Sequence, residues 1–183
     1  MTDLNQHERS RVTRQDRAIY DEGWITALLN RAGMGTLATV KDGQPFLVTL
    51  LFVYDPSRHA IYIHKAKRGR AGENLKENSR VCFTVAEMGR LLPAAVALSF
   101  SVEYQSVVVF GSAVPVEDPV EAEQSLQALL DKYFSHLKPG TDYRPITATE
   151  LDATAVYRID IEEWSGKRKQ VEEDFPGAFV WGK

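Results

Sequence analysis

The chain has 183 residues, 44% of them hydrophobic and 26% charged, a length and balance that suit one globular domain and exclude a disordered or fibrous protein. Its 22 basic and 25 acidic residues give a formal net charge of -3, so no global basic field exists to gather nucleic acid and any anion binding must be local. The single cysteine, Cys82, excludes an internal disulfide and a cysteine-based zinc site, and fits a reducing cytoplasm.

Met1 to Arg17 is polar, carries charges of both signs and lacks an apolar core, so it reads as a flexible N-terminal arm (1–17) and not as a secretory signal. The domain proper is expected over 18–170, with a C-terminal tail over 171–183. Asp21 is placed to cap a helix in which Ile25, Leu28, Leu29 and Ala32 fall on one stripe, with Gly33 as its stop. Thr36 to Val40 is a short strand, Asp42-Gly43 favours the positive φ angles of a type I′ turn, and Phe46 to Tyr54 runs back. A second turn at Asp55-Pro56-Ser57-Arg58 leads into a strand over Ala60 to His64.

The basic, glycine-punctuated stretch Lys65 to Gly72 follows, then a brief helical turn through Leu75 that Asn78 ends in the left-handed conformation. Val81 to Ala86 is the next strand, with Cys82 buried in it as a small hydrophobe. Glu87 to Ser101 has no clean period and reads as an irregular excursion over a surface or a neighbouring subunit; its apolar part, Leu91 to Phe100, is too short to cross a bilayer. Ser106 to Val116 is a curved central strand with Gly111 marking a bulge or a close backbone approach. Pro119 opens a helix whose apolar stripe runs through Leu126, Leu129, Leu130, Tyr133, Phe134 and Leu137. Lys138 to Thr149 is a loop, and Thr154 to Glu163 is a closing strand that ends at Trp164-Ser165-Gly166-Lys167. Strands joined by hairpins with helices between them predict a mainly β fold, an antiparallel barrel with peripheral helices.

The residues that can carry chemistry start with His64, which ends a strand and is followed by Lys65, Lys67, Arg68 and Arg70 around Gly69 and Gly72. A terminal phosphate, with nearly two negative charges and three acceptor oxygens, suits such a turn; a solvated basic turn is the alternative. Thr39 and Thr49 lie on paired hairpin strands, where short hydroxyls can meet the edge of a flavin ring, although threonine is also a preferred strand residue. Ser106 begins an apolar strand, and Trp164 beside Lys167 offers a flat wall and a cation for a planar cofactor, with a core role as the alternative for the indole. His7, His59 and His136 share no spacing and have no cysteine partner, so no metal site is expected. There is no G-x-S-x-G elbow and no dinucleotide or P-loop glycine motif.

In this order the stretches Ile61-Tyr62-Ile63-His64 into Gly69-Arg70, Glu103-Tyr104-Gln105-Ser106-Val107 through Gly111, and Val156-Tyr157 through Trp164-Ser165-Gly166-Lys167 resemble the FMN-binding split barrels related to pyridoxamine 5′-phosphate oxidase. The likeness is closest to the nitroimidazole-resistance (Nim-type) subgroup. The resemblance implies a split β-barrel homodimer with FMN in clefts between subunits, bound by residues among Thr39, Thr49, His64, Lys65, Arg70, Ser106, Trp164 and Lys167, with His64 as the active-site histidine. Lys65 and Lys67 stand where many relatives have small or neutral residues, and Gln105 replaces a basic residue, so the phosphate charge balance is redistributed.

The activity this implies is that of a cytoplasmic, FMN-dependent oxidoreductase, nitroreductase-like, that passes electrons to a small electron-poor acceptor such as a nitroimidazole, with His64 as proton donor because an imidazole titrates near neutral pH. The alternatives are a non-catalytic flavin carrier or sensor, and a pyridoxamine-phosphate-oxidase-like enzyme, the latter disfavoured by an aromatic tail from Phe175 to Lys183 in place of an arginine-rich one. No nucleic-acid or membrane partner is expected.

Overall fold

The computed structural model describes residues 9–182. Among them lie eight strands, β1 (Ala18–Ile19), β2 (Gly35–Lys41), β3 (Gln44–Leu50), β4 (Phe52–Asp55), β5 (Ala60–Ala66), β6 (Arg80–Leu92), β7 (Ser101–Pro115) and β8 (Thr154–Lys169), with helices α1 (Glu22–Arg31), α2 (Arg70–Glu77), α3 (Pro119–Tyr133) and α4 (Ala148–Ala153). The pairings are antiparallel and run β3-β2-β6-β7-β8-β5-β4, with β1 added beside β8. The two ends of that order, β3 and β4, are consecutive in the chain and separated only by Leu51, so the sheet curls into a barrel that is split along this seam.

Local chemistry explains most boundaries. Asp42 and Gly43 hold φ of +52° and +74°, the primed turn that matches the twist of β2 and β3. Asp55 accepts from the Ser57 amide at 2.8 Å, closing the turn into β5. The Asp21 carboxylate accepts from the Trp24 amide at the start of α1, and Asp118, with Pro119 behind it, caps α3 through the Val120 amide.

The barrel interior holds Leu37, Phe52, Ile61, Ile63, Phe83, Val85, Val107, Val109, Ile159 and Trp164, joined by Ile25, Leu28 and Leu29 of α1. A second apolar cluster of Ala60, Tyr62, Ala122 and Val156 lies between the sheet and α3. There Tyr62 donates to Glu121 at 2.7 Å, and Arg158 bridges Glu121 and Asp160 at 2.6 Å each, which ties α3 to the sheet.

β8 stays in register with β7 only by means of a bulge. Phe110 faces Glu163 while Gly111 faces Ile161, so Glu162 is an extra residue. The extra residue moves the inward phase of β8 from Tyr157, Ile159 and Ile161 to Trp164 and Gly166. It also sends Ser165 and Lys167 to the outer face, beside Val108 and Ser106.

Several expectations are corrected. Phe46 to Tyr54 is two strands broken at Leu51, because the chain there crosses from one sheet edge to the other. Glu87 to Leu92 continues β6 as a ladder with β7, since the hairpin projects beyond the barrel and exposes both faces in part, which erases the alternation. Asn78 is extended (φ -144°), its side chain instead accepting from the Arg80 amide at 3.0 Å. α3 stops at Tyr133, leaving Phe134 and Leu137 exposed, and its buried face is Ala122, Ser125 and Leu129. Cys82 is half-buried, with its thiol pushed up by burial.

Of the segment read as an arm, residues 1–8 lie outside the described residues, as does Lys183 of the tail. Arg9 donates to Glu163 at 2.8 Å and the buried Ser10 amide to the same carboxylate at 3.2 Å, so this part of the segment is held against β8. Beyond β8, the tail is held by a clamp. Arg90 donates to Glu103 at 2.8 Å and to the Val171, Glu172 and Glu173 carbonyls, Glu103 accepts from the Val171 amide at 3.0 Å, and Phe179 bridges to Leu91.

The hydrogen bonds from Arg90 and then the Val171 amide hold the Glu103 carboxyl at about 2. A depressed carboxylate contributes stability that is full above its unfolded value and is lost as pH falls through its folded one. Melting temperatures followed from pH 5 down to pH 2 are therefore expected to fall more steeply for the wild type than for Glu103→Gln, whose clamp has no charge to titrate.

Candidate functional site

Strand β5 carries the site because its alternation aims neighbouring residues to opposite sides. Ile61 and Ile63 point into the barrel core, whereas Tyr62 lies under α3, where it bonds Glu121, and His64 follows on that same face. Lys65 takes the barrel side, its ammonium 5.7 Å from the Tyr157 ring and donating to the Ala66 carbonyl at 2.7 Å. Burial pushes the Lys65 ammonium pKa down. The chain then turns through Gly69, at φ +139°, a conformation that a side chain would strain, and Arg70 opens α2 with its guanidinium 4.8 Å above the Phe46 ring.

Two cavities meet at His64. The first, about 210 Å³, lies at the seam between β3 and β5; Phe46, Val48, Leu50 and Ile63 form apolar walls and Lys65 and Arg70 the cationic end. The second, about 380 Å³, lies on the other side of β5, where Leu126, Leu129 and Leu130 of α3 meet Tyr143, Arg144 and Ile146 of the following loop. His64 is exposed and lines both. The arrangement offers an apolar-walled slot with cationic groups that can bind an anion, and an imidazole shared between that slot and a second apolar chamber.

The remaining expected residues are dispersed. Thr39 is fully buried, accepts from the Asn74 amide at 2.9 Å and donates to the Phe46 carbonyl at 3.4 Å, so its hydroxyl anchors α2 and β3 behind the slot. Thr49 is on the opposite face of the hairpin, 3.2 Å from the Thr36 hydroxyl. Ser106 and Lys167 face each other on the outer side of the sheet, and the cavity beside Arg70 includes neither of them. Trp164 is 2% exposed, with its ring 4.4 Å from His59 and 5.9 Å from Tyr54, so the bulge packs the indole into the core. His59 is pushed below its ordinary pKa by burial in that same cluster.

Sequence reasoning missed the second chamber. Tyr143, Arg144 and Ile146 come from a stretch without period, and only the Thr147-x-x-Glu150 capping signature, which the structure realises at α4, marked order there. Among the described residues no cluster of three or more His, Cys, Asp or Glu is arranged to hold a metal ion, and no helix is long and apolar enough to cross a membrane.

A seam-split antiparallel barrel with a strand-end histidine and a basic turn beside the seam defines the class of the split-barrel flavoproteins' fold. The chain belongs to the pyridoxamine 5′-phosphate oxidase family, whose model matches residues 21–168. No curated protein matches it in sequence.

Among solved structures it is similar to a flavocytochrome from Azotobacter vinelandii, with 25% identity over 92% of this chain and 78% of that one and a TM-score of 0.77. It is also similar to an FAD- and haem-binding protein from Mycobacterium smegmatis, with 22% identity over 85% and 74% of the two chains and a TM-score of 0.74. A protein named as a candidate for 5-nitroimidazole antibiotic resistance in Bacteroides thetaiotaomicron matches at 20% identity, 82% and 86% coverage and a TM-score of 0.69.

Proposed function

We propose that the protein is a flavin-dependent oxidoreductase, with FMN or a larger flavin in the seam cavity and a small electron-poor acceptor, such as a nitroaromatic, beside His64. The observation that carries this reading is the slot itself, with apolar walls at Phe46, Val48 and Leu50 and with Lys65, Arg70 and His64 also lining it. These residues fit the group: Lys65 is a partly desolvated cation that forms no salt bridge among the described residues, and Arg70 is an exposed fork on the same turn, which suits a phosphate. The flavin, when bound, supplies the electron transfer. Phe46, Val48 and Leu50 shed water from the slot, Lys65 and Arg70 fix the anionic end, and His64 holds a proton where a reduced acceptor needs one.

A homodimer belongs to this reading. The outer sheet face carries Leu47 (62% exposed) and Met88 (58% exposed) beside small residues such as Ala38 and Ala86, a face suited to a second copy. Packing there supplies Ser106 and Lys167 to a shared cleft.

The test begins with absorbance of the purified protein. A flavin spectrum that survives desalting, bleached by NADH under anaerobic conditions and restored by a nitroimidazole, is the expected result. A protein that stays colourless after flavin is added overturns the reading. In His64→Ala, flavin absorbance is expected to persist while acceptor reduction falls about 100-fold, the usual scale for losing a general acid.

A second reading is favoured by the chamber under α3. Its leucine walls and the His64 imidazole would suit a porphyrin, which the imidazole would hold through its iron, and Arg144, paired with Glu150 at 2.9 Å in this structure, would have to leave that carboxylate to meet a propionate. The flavocytochrome and the FAD- and haem-binding protein are similar in fold to this chain. A Soret band that forms on adding haemin to the wild type and not to His64→Ala supports it, and no band in either excludes it.

A further inference from the structure

A third cavity, of about 270 Å³, lies between α3 and the β4–β5 hairpin and shares no residue with the two that meet at His64. Its walls follow from the two periodicities of the chain. Glu121, Gln124, Ser125 and Ala128 fall at i, i+3, i+4 and i+7, one stripe of α3. Val53, Asp55 and Tyr62 share the outer face of the hairpin, since Val53 pairs with Tyr62 while Phe52, Ile61 and Ile63 turn into the core. Pro56 and Arg58 of the connecting turn line it as well.

Two opposite charges stand in this cavity without closing on each other. Glu121 Oε1 is already satisfied, accepting from the Tyr62 hydroxyl at 2.7 Å and from Arg158 at 2.6 Å. Glu121 Oε2 meets only Arg58, at 4.0 Å, beyond hydrogen-bond distance, and this is the one salt bridge Arg58 makes among the described residues. The Glu121 side chain is 13% exposed and fixed by Tyr62 and Arg158, whereas that of Arg58 is 51% exposed. Asp55, whose Oδ1 accepts from the Ser57 amide and hydroxyl, adds a second carboxylate to the lining, and Val53, Pro56 and Ala128 supply apolar surface. A fixed acceptor and an exposed fork at that separation complement a ligand that carries an ammonium and a carboxylate on one carbon. Each ligand charge then meets its opposite, and the carboxylate can take the guanidinium in a bidentate pair. A ligand with a carboxylate alone would face two others, and one with an ammonium alone would leave the guanidinium unmet.

We propose that this cavity binds a free α-amino acid with an apolar side chain, its ammonium on Glu121 Oε2, its carboxylate on the Arg58 guanidinium and its side chain against Val53, Pro56 and Ala128. The site stands apart from the flavin reading, because no residue of the seam slot or of the His64 chamber takes part in it.

Isothermal calorimetry of the full chain with L-leucine, L-valine and L-methionine tests it. Two controls keep the leucine side chain: 4-methylpentanoate, which lacks the ammonium, and 3-methylbutylamine, which lacks the carboxylate. L-Leucine is expected to bind with a Kd below about 1 mM, and each control at least about tenfold more weakly. Arg58→Gln is expected to weaken leucine at least about tenfold with the melting temperature unchanged, since the guanidinium is half-exposed and its one ion pair is long. Ala128→Leu, which fills the apolar wall and leaves both charges in place, is expected to weaken leucine as well, and so ties the binding to this cavity. No saturable binding of any of the three amino acids, controls that bind as tightly as leucine, or binding unchanged in either variant overturns the proposal.

Discussion

Gly111→Ala is expected to destabilise the protein by about 3 kcal/mol or more, the upper end of the range for overpacking. A Cβ at position 111 would sit 2.2 Å from the Asp160 carbonyl oxygen and 3.1 Å from its carbon. Both atoms are Asp160 backbone, held in the ladder next to the Glu162 bulge, so relief requires the β7 and β8 strands to part. The two strands share the longest pairing in the molecule, from Tyr104 opposite Lys169 to Pro115 opposite Tyr157. For a chain of this size the corresponding fall in melting temperature is about 6–12 °C. A circular-dichroism melt within 2 °C of the wild type would show that the bulge accommodates a methyl group, and the account of its geometry would then be wrong.

Phe83→Ala is expected to cost about 3–5 kcal/mol, the usual penalty for emptying a buried aromatic site. Phe83 is fully buried, packs edge-on to Phe52 with centroids 4.9 Å apart, and lays its ring over Gly35, where a Cβ would meet the ring at 2.0 Å. The same contact makes the pair non-additive. Gly35→Ala alone forces the ring out of place and is expected to destabilise. In the Phe83→Ala background the added methyl enters vacated space, so the double variant is expected to be no less stable than Phe83→Ala. Urea unfolding of the four proteins measures the coupling, and additive losses would argue against direct contact between Gly35 and the ring.

What the sequence made legible is what short-range chemistry controls. Asp42-Gly43 specifies its turn through φ, Asp21 specifies the start of α1 by accepting from the Trp24 amide, Pro119 specifies the start of α3 through its fixed φ, and the stripe of Ile25, Leu28 and Leu29 finds the core as its spacing demands. The basic turn after His64 was equally readable, and the structure places it beside a cavity. What could not be read is decided by partners remote in the chain. Trp164 faces inward only because Glu162 is one residue too many opposite β7, and nothing local to Trp164 announces that shift. Thr39 and Thr49 are both hairpin threonines, yet their positions on opposite faces follow from strand parity and from what packs against each. The Thr147-x-x-Glu150 cap was visible in the residues, but α4 gains meaning only through the chamber its loop closes.

The seam at Leu51 has a mechanical consequence. A fully laddered barrel resists dilation in every direction, because widening it anywhere breaks backbone hydrogen bonds. Here β3 borders the slit on one side and β4 with β5 on the other, with no ladder across it, and the slot lined by Phe46, Val48 and Leu50 of β3 and Ile63 of β5 lies along it. The wall is therefore compliant along one line and stiff elsewhere. A flat guest can be gripped or released by shifting side chains across that line, while the scaffold that fixes His64 keeps its shape.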